Sequence, residues 1–248
     1  METTTINLKK GLIVSCQASP GWAFYGSENM QRMALAAQQG GAVGIRACWA
    51  DNIRAIKQVV NLPVVGVNKV FSSRRPTAAD VTITPSFEAA AQVIEAGCDI
   101  LGIDCTARGR SWEDVRRLLQ DIFAAYPGIP VMADISTLEE GLMATDMGAQ
   151  ILSTTLSGYT STSLGLTLEQ ARELTGYPDD QEPPPDLELI RQLRARTSLP
   201  INAEGRYWEV QQVRQAFDNG ADYVTVGSAI TAPQLITRRF VQGIRDSL

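Results

Sequence analysis

Short apolar runs recur along the chain, and most alternate with segments whose apolar residues repeat at i, i+3, i+4 and i+7. The runs have the length of β-strands, and the segments between them have the pattern of amphipathic helices that bury one face. The predicted strands span residues 12–16, 42–47, 63–69, 100–106, 130–136, 150–158, 200–206 and 223–230. Eight such alternations within 248 residues predict one (β/α)8 TIM barrel over residues 1–248.

An open, doubly wound sheet is the alternative arrangement of the same elements. No GxGxxG motif follows the first apolar run, which disfavours a sheet of the dinucleotide-binding type. One further apolar run, residues 81–84, lies in the connection after the third strand. Several predicted helices end in glycine, the residue that best tolerates the left-handed conformation after a helix. These glycines are Gly40, Gly97, Gly148 and Gly220.

One stretch, residues 160–186, interrupts the alternation after the sixth predicted strand. Its first part contains LTLEQARELTG, which predicts a short extra helix, and its second part, PDDQEPPPD, predicts an extended acidic connector. In a barrel, this insertion would lie at the end where active sites form. It is either a lid over the pocket or a surface excursion without a catalytic role.

Each predicted strand begins apolar and ends polar. In a (β/α)8 barrel the carboxyl ends of the strands form the active site, and buried charges are costly unless they are paired. A set of charged strand ends therefore predicts a site, although salt bridges that close the top of the barrel are the alternative. The polar strand ends are Gln17, Arg46, Lys69, Asp104, Asp134, Ser153, Thr155, Glu204, Arg206 and Ser228.

Glycines follow the seventh and eighth predicted strands, at Gly205 and Gly227. They leave backbone N–H groups unobstructed, and Ser228 and a helix that begins near residues 231–233 add a hydroxyl and a helix N-terminus. The loops after strands seven and eight often build a phosphate site in this way. Tight turns without a ligand are the alternative interpretation.

Composition narrows the chemistry. The chain has no histidine, which excludes an imidazole base, Ser-His and Cys-His dyads and His-ligated metal sites. Its net charge of -5 argues against a nucleic-acid partner but permits a small anionic substrate in a locally positive pocket. No apolar segment reaches the ~18 residues of a membrane span. The four cysteines form no CxxC pair and predict buried thiols of a cytoplasmic protein rather than disulfides.

Several motifs resemble the N-acetylmannosamine-6-phosphate 2-epimerase family from about residue 11 to residue 240. They include IVSCQA, GSENMQRMA, GGAVGIRA, GIDCTAR, ADISTLEEG, TTLSGYT, INAEGR and VGSAIT with PQLITRRF. The resemblance implies a (β/α)8 barrel without a cofactor or metal. It also implies that the enzyme interconverts N-acetylmannosamine 6-phosphate and N-acetylglucosamine 6-phosphate in sialic acid breakdown. It further implies a homodimer built around the last helix.

The resemblance also assigns roles to residues. Lys69 and Glu204 would be the catalytic pair, since inversion at C2 requires a proton to leave one face of the carbon and return to the other. Strands three and seven, which they end, face each other across an eight-stranded barrel. Gln17, Arg46 and Asp134 would contact the sugar and its N-acetyl group. The phosphate would be held, largely through backbone groups, by Gly205, Arg206, Gly227 and Ser228.

Three features depart from the family pattern. Ala232 stands where the family usually has arginine, which would remove one cation from the phosphate site. The sequence after Lys69 reads VFSSRRP, so Arg74 and Arg75 are candidates to supply a replacement. The insertion after SGYT is the third departure. Two other functions stay open at this stage, namely a Schiff-base aldolase that uses Lys69 and a sugar-phosphate-binding barrel without turnover.

Overall fold

The computed structural model describes residues 7–71, 76–175 and 182–245. Eight parallel strands pair in chain order, and β1 also pairs with β8, so the sheet is a closed barrel. This confirms the predicted (β/α)8 fold and excludes the open sheet. The strands are β1 Gly11–Cys16, β2 Gly44–Cys48, β3 Val64–Val67, β4 Ile100–Asp104, β5 Val131–Asp134, β6 Ile151–Ser153, β7 Ile201–Glu204 and β8 Tyr223–Val226.

Helices follow the strands and surround the barrel. Local signals set where they begin: α4, for example, starts after Ser111, whose hydroxyl accepts from the Asp114 N–H while the Asp114 carboxylate accepts from the Ser111 N–H. The helices are α1 Ser27–Gln39, α2 Ala50–Lys57, α3 Phe87–Glu95, α4 Trp112–Ala125, α5 Leu138–Asp146, α6 Ser161–Leu164, α7 Leu168–Glu173, α8 Leu187–Arg194, α9 Val210–Asp218, α10 Ser228–Thr231 and α11 Pro233–Ile244. None of these described helices is long and apolar enough to cross a membrane.

Residue alternation along the strands separates two faces of the barrel wall. Outward residues such as Ile45 and Leu152 pack under the helices in the main hydrophobic core. Inward residues near the bottom, such as Ile13 and Met132, form a second apolar cluster. Because side chains alternate with period two, the inward positions continue upward from Met132 to Asp134. The barrel interior is therefore apolar at its base and polar at its carboxyl end.

Several strands end earlier than the sequence predicts. Lys69 lies beyond β3 and instead forms an isolated antiparallel bridge with Ile83, within the short apolar run 81–84. After β6 the backbone turns into a 3-10 helix, Thr154–Leu156. There the Thr154 hydroxyl accepts from the Glu204 N–H and donates to the Glu204 carbonyl oxygen, so a side chain takes the place of strand pairing. The predicted strand over residues 223–230 likewise gives way to α10.

The helix-ending glycines behave as expected at three of four positions. Gly97, Gly148 and Gly220 have φ angles of 95°, 96° and 103°. Gly40 was wrongly predicted to take this conformation, since it keeps φ -76° while the next residue, Gly41, has φ 90°. The four cysteines are buried and are not paired with one another.

The insertion contains two short helices, α6 and α7, the second at the site of the predicted extra helix. Ala171 of α7 is buried against Ala78 and Ala79, which lie in the connection between β3 and α3. The Ala78 N–H donates to the Leu174 carbonyl oxygen at 2.9 Å. The insertion is thus attached to a loop at the carboxyl end of the barrel. Part of the predicted acidic connector, residues 178–181, lies outside the described residues.

Candidate active site

A buried ion pair occupies the centre of the barrel's carboxyl end. Arg46 on β2 reaches Asp134 on β5 through two parallel hydrogen bonds, Nη1 to Oδ1 at 3.0 Å and Nη2 to Oδ2 at 2.6 Å. The same Nη1 lies 3.1 Å from Oε2 of Glu204 on β7. The Arg46 and Asp134 side chains are 1% and 0% exposed, and that of Glu204 is 13% exposed. Three distant strands therefore meet through one guanidinium.

Neutral side chains complete the hydrogen bonding of this group. The Thr155 hydroxyl donates to Asp134 Oδ1 at 2.5 Å. The Asn202 amide donates to Glu204 Oε2 at 3.2 Å and to Ser153 Oγ at 2.8 Å, while its oxygen accepts from the Thr225 hydroxyl at 2.8 Å. These contacts fix the Glu204 carboxylate from the side facing β6 and β8, which limits the directions in which it can move.

The electrostatics of the group follow from burial and charge. Burial by itself would lower the pKa of the Arg46 guanidinium, but the negative charges of Asp134 and Glu204 outweigh it, so that pKa is raised. Burial raises the pKa of the Glu204 carboxyl, and Asp134 adds to the effect, whereas Arg46 and Lys69 oppose it. A raised pKa makes the ionised Glu204 a stronger base than an ordinary glutamate.

Lys69 follows β3, which lies across the closed barrel from the β7 strand that carries Glu204. Both side chains line a cavity of about 190 Å³. The Lys69 backbone is held in place because Trp49 Nε1 donates to the Lys69 carbonyl oxygen at 2.9 Å, while the Lys69 N–H donates to the Cys48 thiol. Within the described parts of the chain, the Lys69 ammonium makes no hydrogen bond or ion pair. An unengaged ammonium is thus placed across a cavity from a basic carboxylate.

A second cavity, of about 570 Å³, continues from the first. Lys69 lines both cavities, and so does Phe71. The larger space lies between the connection after β3 and the insertion, with Arg108 and Tyr159 in its walls. Together the two cavities have the size of a small-molecule site. The insertion therefore borders the candidate active site.

Gln17, at the end of β1, also lines the smaller cavity. Its amide nitrogen donates to Ser15 Oγ at 2.8 Å, and its buried amide oxygen accepts no hydrogen bond from any described residue. The sequence placed Gln17 at the same strand end, and the structure brings it to the cavity that Lys69 and Glu204 share. Trp22 and Trp49 form aromatic walls of this cavity, and sequence reasoning missed both because loop positions carry no periodic signal.

The predicted phosphate residues lie at the β7 and β8 ends of the site. Gly205 has φ 109° and Arg206 has φ 64°, while Ser228 begins α10 after Gly227. The backbone N–H groups of these four residues find no acceptor among the described residues. Ser228 and Ala232 line the smaller cavity.

Neither Arg206 nor Ala232 offers a side-chain cation at this end of the site. The Arg206 guanidinium donates to the carbonyl oxygens of Ser157, just before the insertion, and Pro184, within it, so its backbone N–H is the group left for a ligand. Ala232 is 1% exposed and carries no charge. The predicted substitutes Arg74 and Arg75 lie outside the described residues.

One polar strand end does not join the central group. Asp104 on β4 is fully buried, but it accepts from Arg108 Nη2 at 2.6 Å and from the Thr106 hydroxyl at 2.8 Å. The Asp104 charge is therefore neutralised within its own loop. For this residue the structure agrees with the alternative interpretation, in which a polar strand end forms a salt bridge at the top of the barrel. In the described part of the chain, no cluster of three Cys, Asp or Glu side chains is arranged to hold a metal ion.

Similar known proteins match this chain over most of its length. The family model described as "Putative N-acetylmannosamine-6-phosphate epimerase" matches residues 30–246. A 2-epimerase of that name from Caldanaerobacter subterraneus subsp. tengcongensis is 44% identical over 241 residues, covering 96% of this chain and 93% of the relative. The solved N-acetylmannosamine-6-phosphate 2-epimerase of Clostridium perfringens superposes with a TM-score of 0.80 at 37% identity, covering 95% and 93% of the two chains.

The central ion pair predicts a specific loss of stability. Asp134→Ala leaves the buried Arg46 charge without its bidentate partner, so the free energy of unfolding should fall by about 3–5 kcal/mol in urea denaturation. The exposed pair of Arg54 and Asp51 is the matched control, and Asp51→Ala should cost at most about 1 kcal/mol. Equal losses in the two variants would contradict the role given to the buried pair.

Proposed function

The chain belongs to the N-acetylmannosamine-6-phosphate epimerase family, and on this basis we propose that it interconverts N-acetylmannosamine 6-phosphate and N-acetylglucosamine 6-phosphate. The family places it among isomerase-type enzymes. The observation that carries the proposal is the pair of groups on opposite sides of one cavity, Lys69 and Glu204. The proposed setting is amino sugar catabolism, as part of sialic acid breakdown.

The proposed chemistry is proton transfer at C2. In the open-chain sugar, C2 lies beside the C1 aldehyde, so removal of its proton gives an enolate. Glu204 and Lys69 act from opposite faces, one removing the proton and the other returning one, and the roles exchange with the direction of the reaction. The raised pKa of Glu204 supports its part as a base. The Arg46 guanidinium orients Glu204 and adds positive charge near the developing enolate oxygen.

The proposed substrate orientation uses both halves of the opening. The phosphate lies at the backbone N–H groups of Gly205, Arg206, Gly227 and Ser228, where a turn and a helix start provide donors. The sugar carbons lie between Lys69 and Glu204. Gln17 recognises the sugar and its N-acetyl group, while the buried Arg46 and Asp134 contribute by fixing Glu204 and Thr155. The larger cavity beyond Lys69 leaves room for the part of the substrate that the smaller one does not hold.

We further propose that the protein is a homodimer and that it is located in the cytoplasm. The last helix, α11, exposes Phe240, Val241 and Ile244, of which Phe240 is 73% exposed. Apolar side chains clustered on one helix support its use as a subunit interface. Four thiols that form no disulfide fit a reducing compartment.

The catalytic pair gives the direct test of the proposed reaction. Lys69→Ala and Glu204→Gln should each lower kcat by at least ~10²-fold, since one acid–base group typically contributes ~10²–10⁴-fold. A coupled assay for the epimer measures this, with circular dichroism to verify folding. Lys57→Ala removes a partly exposed lysine paired with Asp99 and should leave kcat unchanged.

Three results would count against this assignment. Near wild-type turnover in either variant would remove that residue from the mechanism. Trapping of a substrate adduct on Lys69 by borohydride would instead indicate the Schiff-base chemistry of an aldolase. Failure of the intact protein to form the epimer would instead favour the alternative function, a sugar-phosphate-binding barrel without turnover.

The backbone phosphate site predicts substrate preference. Hydrogen bonds to a charged group contribute about 1.5–3 kcal/mol each, so two or more of them should give N-acetylmannosamine 6-phosphate at least a ~100-fold advantage in kcat/KM over N-acetylmannosamine. Steady-state kinetics with the two sugars measures the ratio. Equal values would show that the site is not used, and the uncharged Ala232 would be the first residue to examine.

A further inference from the structure

We propose that Arg206 is a positioning residue whose side chain fastens the insertion to the turn after β7 and so fixes the backbone N–H groups of the phosphate site. This rests on the proposed function, because the phosphate site belongs to it. The group of side chains involved, here called the clamp, consists of Arg206, Tyr159, Glu182 and Trp208. Arg206 and Trp208 belong to that turn and the residues just after it, Tyr159 directly precedes the insertion, and Glu182 lies near the end of the insertion.

Arg206 touches both ends of the insertion. Its guanidinium donates to the carbonyl oxygen of Ser157, just before the insertion, and at 3.2 Å to that of Pro184, near its end. It also lies over the Tyr159 ring, 5.2 Å from the ring centre, in a cation–π contact. A Cβ atom at Gly158 would lie 2.7 Å from Arg206 Nη1, so glycine is what permits this close approach.

The other three clamp residues are hydrogen-bonded to one another through Glu182. The Tyr159 hydroxyl donates to Glu182 Oε1 at 2.5 Å, and Trp208 Nε1 donates to Glu182 Oε2 at 3.2 Å. The two ends of the insertion are further joined because the Ser157 hydroxyl donates to Asp186 Oδ2 at 2.6 Å. The Glu182 carboxylate, near the end of the insertion, is therefore held by Tyr159 from just before the insertion and by Trp208 from the segment after β7.

The backbone of Arg206 explains why such an anchor is needed. Its φ of 64° is a left-handed conformation that is uncommon for a residue with a side chain and persists where the surroundings hold it. The conformation turns the chain directly after Gly205, at the two N–H groups proposed to bind phosphate. Contacts of the Arg206 side chain with the insertion therefore stabilise the turn that presents those donors.

The clamp should affect substrate binding and not the chemical step. Glu204, two residues before Arg206, is fixed separately by Arg46 and Asn202 inside the barrel. Loss of the clamp should loosen the phosphate donors while the catalytic carboxylate stays in place. A change that removes binding shared by ground state and transition state raises KM and leaves kcat nearly constant.

The test compares two clamp variants with a control in the purified full-length protein. Arg206→Met should raise KM for N-acetylmannosamine 6-phosphate about tenfold, with kcat within about threefold of wild type. Glu182→Ala should raise KM in the same direction, and the double variant should be no worse than Arg206→Met alone, because both act through one network. Arg191→Met removes an arginine that is 64% exposed in α8 and should leave KM unchanged.

If the Arg206 guanidinium instead contacted the phosphate directly, the KM values of the variants would follow a different pattern. In that case Arg206→Met raises KM while Glu182→Ala leaves it at the wild-type value, or the two effects add in the double variant. Either result overturns the clamp, as does a wild-type KM in Arg206→Met.

Limited proteolysis tests the clamp without turnover, so a failure of the proposed function can be recognised separately. If the wild-type protein does not form the epimer, the proposed function fails, and trypsin cleavage after Arg172 in α7 becomes the measurement. Arg206→Met and Glu182→Ala should speed this cleavage by about tenfold, whereas Arg191→Met should not. Unchanged cleavage in Arg206→Met overturns the clamp.

Discussion

The guanidinium of Arg46 is buried inside the barrel, where an unpaired charge would be very costly. Asp134 meets it with two hydrogen bonds and Glu204 with a third close contact, so three strands are held in one arrangement by a single cation. Strand alternation makes this possible, because it directs all three side chains inward above an apolar base. The position of the proposed base therefore depends on an ion pair that also stabilises the fold.

This central group divides the site into a fixed part and an adjustable part. Glu204 is held by Arg46 and Asn202 in the barrel wall and by the hydroxyl of Thr154 directly after β6. The proposed phosphate donors lie in turns outside the wall, and in the proposed clamp their geometry depends on contacts with the insertion. Chemistry and binding are thus supported by different contacts, and an insertion can tune substrate affinity while the proton-transfer geometry stays the same.

The sequence predicts the barrel well because eight local patterns repeat, and each pattern depends on neighbouring residues. It also predicts which strand ends are polar. It does not predict at which residue each strand ends. Lys69 lies beyond β3 and pairs with Ile83, and the Thr154 hydroxyl takes the place of strand pairing to Glu204. Both features depend on partners distant in the chain. The direction of the Arg206 side chain depends in the same way on the insertion. Asp104 was grouped with the other strand ends, but Arg108 neutralises it locally.

The central claim is that two groups on opposite faces of C2 exchange protons with solvent. Turnover of N-acetylmannosamine 6-phosphate in D₂O, followed by NMR or mass spectrometry from the first turnovers, tests this most directly. A protonated lysine exchanges its hydrogens rapidly, so early product should carry deuterium at C2, while unreacted substrate gains label more slowly. Early product that keeps the original hydrogen at C2 would mean that a single group moves it between faces, or that a hydride is transferred. Either would contradict the division of roles between Lys69 and Glu204.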